Sequence, residues 1–163
     1  MNDEKRKIST TTDGQPARPG WEEAGAPAPI KSNGQHEAYW VLSEEERSKG
    51  FVRPVRDRYL HVGKRPQHPT RELTINEKER FNGVGYVVFE PYPEGSRAIG
   101  RYWTDAELHS GCGSETIMGR ALAETYARQP NYYGSTFCCK CADHLPVGID
   151  GEFIWLDGQR VGT

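Results

Sequence analysis

The sequence predicts a small α+β domain built from short elements. Three observations carry that expectation. Runs of β-branched and aromatic residues, such as Tyr86-Val87-Val88-Phe89, alternate with turn residues. Ser or Thr followed three residues later by Glu recurs before short polar stretches, a spacing that opens helices. All four cysteines fall between positions 112 and 141, in a chain of 163 residues that is only 35% apolar. A core that thin calls for another source of stability.

Residues 1 to 35 contain four Pro, four Gly and eight apolar residues, four of them Ala. Such a stretch buries too little surface to offset its ordering entropy. It is expected to be a disordered, flexible N-terminal arm, on which Trp21 and Ile30 are able to dock. One domain is expected over 36–163. Ala38 to Leu42 reads as a strand. Ser43 to Glu46 is a capping box opening about two helical turns, which Gly50 ends. Phe51 to Val62 reads as extended, with Pro54 at an edge or bulge.

Thr74 to Glu77 opens a short helix that stops near Gly83. Tyr86 to Glu90 is a strand, and Pro93-Glu94-Gly95 a turn. Thr104 to Glu107 opens another short helix, stopping near Gly111. Ser114 is expected to cap the longest helix, over 115–128, which Pro130 ends. Its Ile117, Met118, Ala121, Leu122 and Tyr126 form one apolar stripe that faces the core. At the C-terminus, Phe153 to Leu156 and Gln159 to Val161 flank Asp157-Gly158. That pattern predicts a hairpin with a type I′ turn.

The cysteines form two clusters, His109-Ser110-Gly111-Cys112 and Cys138-Cys139-Lys140-Cys141. Each offers two ligands separated by two residues. A small turn then lets both side chains reach one ion, and Gly at the tight positions lets backbone amides face the sulfur. Four N or S ligands complete a tetrahedron. The expectation is a structural zinc held by His109, Cys112, Cys138 and Cys141, with HxxC and CxxC knuckles flanking the main helix. His61 and His144 are the rival fourth ligands. Cys139 is expected to pack or stay free, because adjacent cysteines rarely point the same way.

The charged start, Met1 to Lys7, has no apolar stretch behind it. No ordinary secretory leader is read there, and a reducing compartment disfavours disulfides. No run of about 18 apolar residues exists, so no membrane-spanning helix is expected. A catalytic zinc keeps one position open and carries a signature such as HExxH, or HxE followed by PCxxC. Both are absent, and Phe137 precedes Cys138. GxxxxGK[ST], GxSxG and a complete GxGxxG are absent too; Gly83-Val84-Gly85 reads as a turn. The structural role is preferred. The alternative is a zinc-dependent hydrolase or nucleotide-modifying enzyme with Glu115 as its nearby base.

Residues 47–71 carry eight Lys and Arg against one acid, Asp57, inside a chain of net charge -2. Arg53, Arg56, Arg58, Lys64 and Arg65 interleave with Phe51 and Tyr59. They are expected to contact nucleic acid or an acidic protein surface. The opposing reading is a solvated face paired with the chain's own acids, such as Glu44 to Glu46.

Tyr39-Trp40-Val41-Leu42-Ser43-Glu44-Glu45-Glu46-Arg47, running into Gly50-Phe51-Val52-Arg53-Pro54-Val55-Arg56, resembles the opening of small zinc-knuckle proteins encoded by tailed bacteriophages and prophages. Gly111-Cys112-Gly113 followed by Thr116-Ile117-Met118-Gly119 extends the likeness. So do Tyr133 to Cys141 and His144-Leu145-Pro146-Val147. The resemblance covers most of 38–163. It implies a phage gene product acting in the cytoplasm of a bacterial host, with 64–108 an insertion relative to shorter relatives. It adds no catalytic residue. Residues and resemblance together lead to the expectation of a non-enzymatic, zinc-stabilised accessory protein that contacts nucleic acid or a host protein.

Overall fold

A helical turn and a short strand, α1 (Asp3–Lys7) and β1 (Ser9–Thr11), open the chain. The computed structural model describes residues 3–12, 31–36, 38–64, 69–89, 94–98, 101–104 and 106–163. β1 runs antiparallel to β2 (Trp40–Leu42), with Ser9 opposite Leu42 and Thr11 opposite Trp40. Within the expected arm, 3–12 thus carries a helical turn and a strand paired with β2. All three residues of β2 are buried, and its outer backbone groups need a partner. β1 provides one, and the Ser9 hydroxyl lies 2.8 Å from that of Tyr132. Trp21, Ile30 and the rest of 13–30 lie outside the described residues. Ser43 caps α2 (Glu44–Arg47) by accepting from Glu46 N–H, but the Glu46 carboxylate goes to Lys49 rather than completing a capping box, and the helix is one turn long.

β3 (Arg58–His61) is the spine of the main sheet. It alternates exposed Arg58 with buried Tyr59 and His61. After an excursion described below, the chain returns as β7 (Glu115–Ile117), antiparallel to β3. α4 (Arg120–Arg128), the hairpin β8 (Ser135–Cys138) and β9 (Asp143–Pro146), and β10 (Phe153–Trp155) follow. β10 pairs with the other edge of β3. The helix expected over 115–128 is thus a strand and then a helix. β-Branched Thr116 and Ile117 suit the free edge of β3, and Gly119 at the N-cap separates the two elements. Ser114 is no cap; its carbonyl accepts from His61 N–H.

α4 lies against the inner face of this sheet. Tyr59, Tyr126, Phe153 and Trp155 form the heart of the core, with Met118, Cys138 and Val161 around them. Their rings meet edge to face: Tyr59 with Phe153 at 5.4 Å, Tyr126 with Trp155 at 5.5 Å. Such pairs add about 0.5–1.5 kcal/mol each beyond area burial. The Tyr59 hydroxyl donates to the Phe137 carbonyl, tying the sheet to β8. The C-terminal turn falls where expected, with a different geometry. Gly158 N–H donates to the Trp155 carbonyl, Trp155 N–H to that of Gln159, and Gly158 alone of the turn residues has positive φ. That is a three-residue loop with a glycine bulge, since a type I′ turn needs two residues in the left-handed region.

Between Lys64 and His109 the chain makes an excursion with its own three-stranded sheet. Its strands are β4 (Thr70–Arg71), β5 (Tyr86–Phe89) and β6 (Tyr102–Thr104), with α3 (Ile75–Arg80) between the first two. Ala98, Trp103 and Leu108 form a separate small core. The excursion leaves and rejoins at adjoining points, because Lys64 N–H donates to the His109 carbonyl at 3.0 Å. Thr104 makes its capping bond to Glu107 N–H, but the chain turns without winding into the expected helix. Leu108 is pulled into the small core instead.

Glu77 is the polar hub of the excursion. It completes the capping box with Thr74, receives two bonds from Arg71, and accepts the Tyr102 hydroxyl at 2.7 Å. The Arg71 guanidinium, then the Thr74 amide and the Tyr102 hydroxyl, hold its carboxyl well below the usual carboxylate range. A depressed folded pKa means stability that is complete above the unfolded pKa of about 4.3 and lost as pH falls below it. Glu77→Gln is expected to speed amide exchange at Lys78 and Phe81 at neutral pH. The gap between variant and wild type should close as pH falls below about 4. Equal exchange rates at neutral pH would refute the hub role.

Candidate metal centre

Two backbone features gather the donor atoms. The first continues the β3–β7 ladder. Gly113 N–H donates to the His61 carbonyl at 2.8 Å and Gly111 N–H to that of Val62 at 2.9 Å, which sets Cys112 beside His61. The two strands approach so closely that a Cβ on Gly111 would lie 2.1 Å from the His61 carbonyl oxygen. The second feature is the β8–β9 turn. Ala142 N–H donates to the Cys138 carbonyl, closing a CxxC knuckle around Cys138 and Cys141.

His61, Cys112, Cys138 and Cys141 thereby bring one ring nitrogen and three sulfurs within 4.8 Å of one another. The Cys112 and Cys138 sulfurs are 3.4 Å apart, and the Cys141 sulfur lies 3.5 Å from His61 Nδ1. A tetrahedral ion with bonds of about 2.0–2.3 Å spaces its ligands by about 3.5–3.8 Å, so the four residues fit one metal ion. His61 and Cys138 are buried, whereas Cys141 is exposed. His61 Nδ1 faces the Cys112 amide and the Cys141 sulfur; its Nε2 lies 3.0 Å from Glu152 Oε1. With Nε2 donating to that carboxylate, Nδ1 is left as the acceptor of the Cys112 amide, on the side of the ring that faces the sulfurs.

The thiols differ in their hold on protons. Burial pushes the Cys112 thiol up, but a backbone hydrogen bond from Ser114 and bonds with His61 and Cys138 outweigh it and bring it to about 6. Burial, together with the Cys138 and Cys112 sulfurs, pushes Cys141 up to about 12. A cation among these sulfurs would favour the ionised form of each of them.

Cys112, Cys138 and Cys141 come together as the sequence predicts, but the fourth donor is corrected. His61 takes the place expected of His109. The HxxC segment forms no knuckle; residues 109–111 pair along 62–64, and the register then slips at a bulge around Cys112 and Gly113, whose φ is 74°. His109 Nε2 lies instead 3.0 Å from Glu152 Oε1. His144 is elsewhere, with its Nε2 at 2.9 Å from the Tyr39 hydroxyl and its ring on His36. Cys139 turns toward β7, donating its amide to Thr116 Oγ1 and its thiol to the Glu115 carbonyl. Glu152 had no role in the sequence reading. Its one signal is an acid placed directly before the apolar run Phe153 to Leu156.

The basic window does not form a free stripe. Arg56 pairs with Asp157 at 2.9 Å and lies over the Trp155 ring; Arg58 reaches Glu115 at 3.4 Å. Arg47, Lys49 and Arg71 pair with Glu124, Glu46 and Glu77. Lys64 lies over the Trp103 ring, and Arg53 bonds to the neighbouring Val52 carbonyl. Arg65 lies outside the described residues. Among the described residues, no helix is long and apolar enough to cross a membrane.

Comparison with protein families, with curated proteins and with solved structures finds no match in any of the three.

Two substitutions check the geometry. Gly111→Ala forces a methyl group into the His61 backbone, so metal affinity should drop sharply in a chelator-competition titration. Cys139→Ser should bind metal like wild type. A Cys139→Ser variant that loses the metal would show that the wrong sulfurs have been assigned.

Proposed function

We propose that the protein is a zinc-stabilised, non-enzymatic binding module. The observation that carries this reading is the convergence of His61, Cys112, Cys138 and Cys141 on one point. One imidazole and three thiolates suit zinc, and four protein donors fill a tetrahedron without leaving a position for substrate or water. That favours a structural ion over the hydrolase alternative. Glu115, the base this alternative would use, is occupied with Arg58. The phage setting rests on the resemblance of 38–163 alone.

A protein partner is supported better than nucleic acid. Of the seven cations in 47–71 among the described residues, five pair with the chain's own acids. What this side of the molecule leaves open is apolar: Phe51, Val52, Val55 and Leu156 are exposed. Val55 and Leu156 line one cleft, and Arg53 is two residues before Val55 in sequence. This suits a protein surface that presents apolar side chains and a carboxylate.

Elemental analysis of the purified chain should find one zinc. Free zinc at about a thousand times Kd should add about 4 kcal/mol, which is about 8–16 °C in Tm for a chain of this size. A thermal transition unmoved by chelator would overturn the structural role. In titrations with duplex or single-stranded DNA, binding should be weak with a shallow salt dependence. A log–log salt slope steeper than about -4 would mean that several phosphates are neutralised, and would favour nucleic acid as partner.

A further inference from the structure

The carboxylate of Glu152 is almost wholly buried, with 5% of its side chain exposed. One of its oxygens, Oε1, meets two imidazoles: His61 Nε2 and His109 Nε2, each at 3.0 Å. The Glu152 backbone is pinned too, because its carbonyl accepts from both Val62 and Gly63 N–H, and its own amide donates to the Pro146 carbonyl. A buried carboxylate fixed at both ends and shared by two histidines is a device for aiming rings.

We propose that Glu152 and His109 are positioning residues for the metal centre: Glu152 locks His61 with Nδ1 toward the sulfurs, and His109 holds Glu152 from the solvent side. The inference rests on the zinc reading above and goes beyond it. Glu152 accepts the Nε2 proton of His61, which selects the tautomer and fixes the ring about its axis. Phe153 supports the same ring, with centroids 4.9 Å apart. Without a second contact, the carboxylate would have His61 as its one partner. His109 stands at ion-pair distance from the same oxygen, and its side chain is 44% exposed, so it can be replaced without opening the core. His109 also ends the excursion, directly after buried Leu108. The order of that unit is thereby linked to the aim of a metal ligand.

The test uses the full chain loaded with cobalt(II) as a spectroscopic stand-in for zinc. Affinity is read by competition with a chromophoric chelator. His109→Leu and Glu152→Ala should each weaken binding about 10- to 100-fold. His109→Gln, whose amide can still donate to Glu152, should stay near wild type. In His109→Leu the tetrahedral ligand-field bands and the sulfur-to-cobalt charge-transfer intensity should persist, because no ligand is lost. Loss of the tetrahedral spectrum in His109→Leu would make His109 a ligand and overturn the proposal. Wild-type affinity in His109→Leu would overturn it as well, whatever the folding of Glu152→Ala. Failure of folded wild-type protein to bind cobalt or zinc is a different result, which would remove the metal reading itself.

Discussion

Three sulfurs and an imidazole held within 4.8 Å are the constraint around which the rest of the chain is arranged. Thiolates at that distance repel, and thiols there lose water without gaining strong partners. The opposed behaviour of Cys112 and Cys141 shows the tension: hydrogen bonds draw one toward ionisation, while burial and then the neighbouring sulfurs push the other up. The cluster is also continuous with the apolar interior. Cys138 packs with Tyr59, Phe153 and Trp155, and the Tyr59 hydroxyl grips the strand that carries it. Core and donor set thus share residues, and a change in one is felt in the other.

The parts of this arrangement that were legible in the sequence are the local ones. Cys138 and Cys141 sit on a single hairpin turn, so their spacing reports their geometry directly. Ser43 and Thr74 announce helices because the bonds they make lie within one turn. His61 was harder to choose, because it reaches Cys112 through strand pairing across 51 positions. The HxxC pattern misled for the same reason. It suits a knuckle, but this segment is paired to β3 up to Gly111 and bulged beyond it, so no single turn gathers its two members. Residues 115–128 carry a helical stripe, yet the open edge of β3 claims the first three for a strand. Thr104 shows propensity overridden by burial, since Leu108 is worth more inside the small core than in a further helical turn.

Charge counting along the chain was informative about composition and silent about pairing. The acids that answer Arg47, Arg56 and Arg58 lie 77, 101 and 57 positions away. A stretch that is basic in sequence becomes a set of cross-links between the main sheet, α4 and the C-terminal hairpin. Exposed pairs of this kind contribute little to stability individually. They do change what the surface offers a partner, because a guanidinium already facing a carboxylate is a poor grip for phosphate.

The adjoining ends of the excursion have a consequence for how such a chain can vary. Because Lys64 and His109 meet on neighbouring rungs, everything between them hangs from one hairpin tip, and that tip lies next to His61 and Cys112. A two-residue turn would close the same gap. The donor set belongs to strands outside the excursion, so this segment is free to lengthen, shrink or be exchanged for another folded unit. The sole toll is at the seam, where a new occupant must still offer Glu152 something to hold.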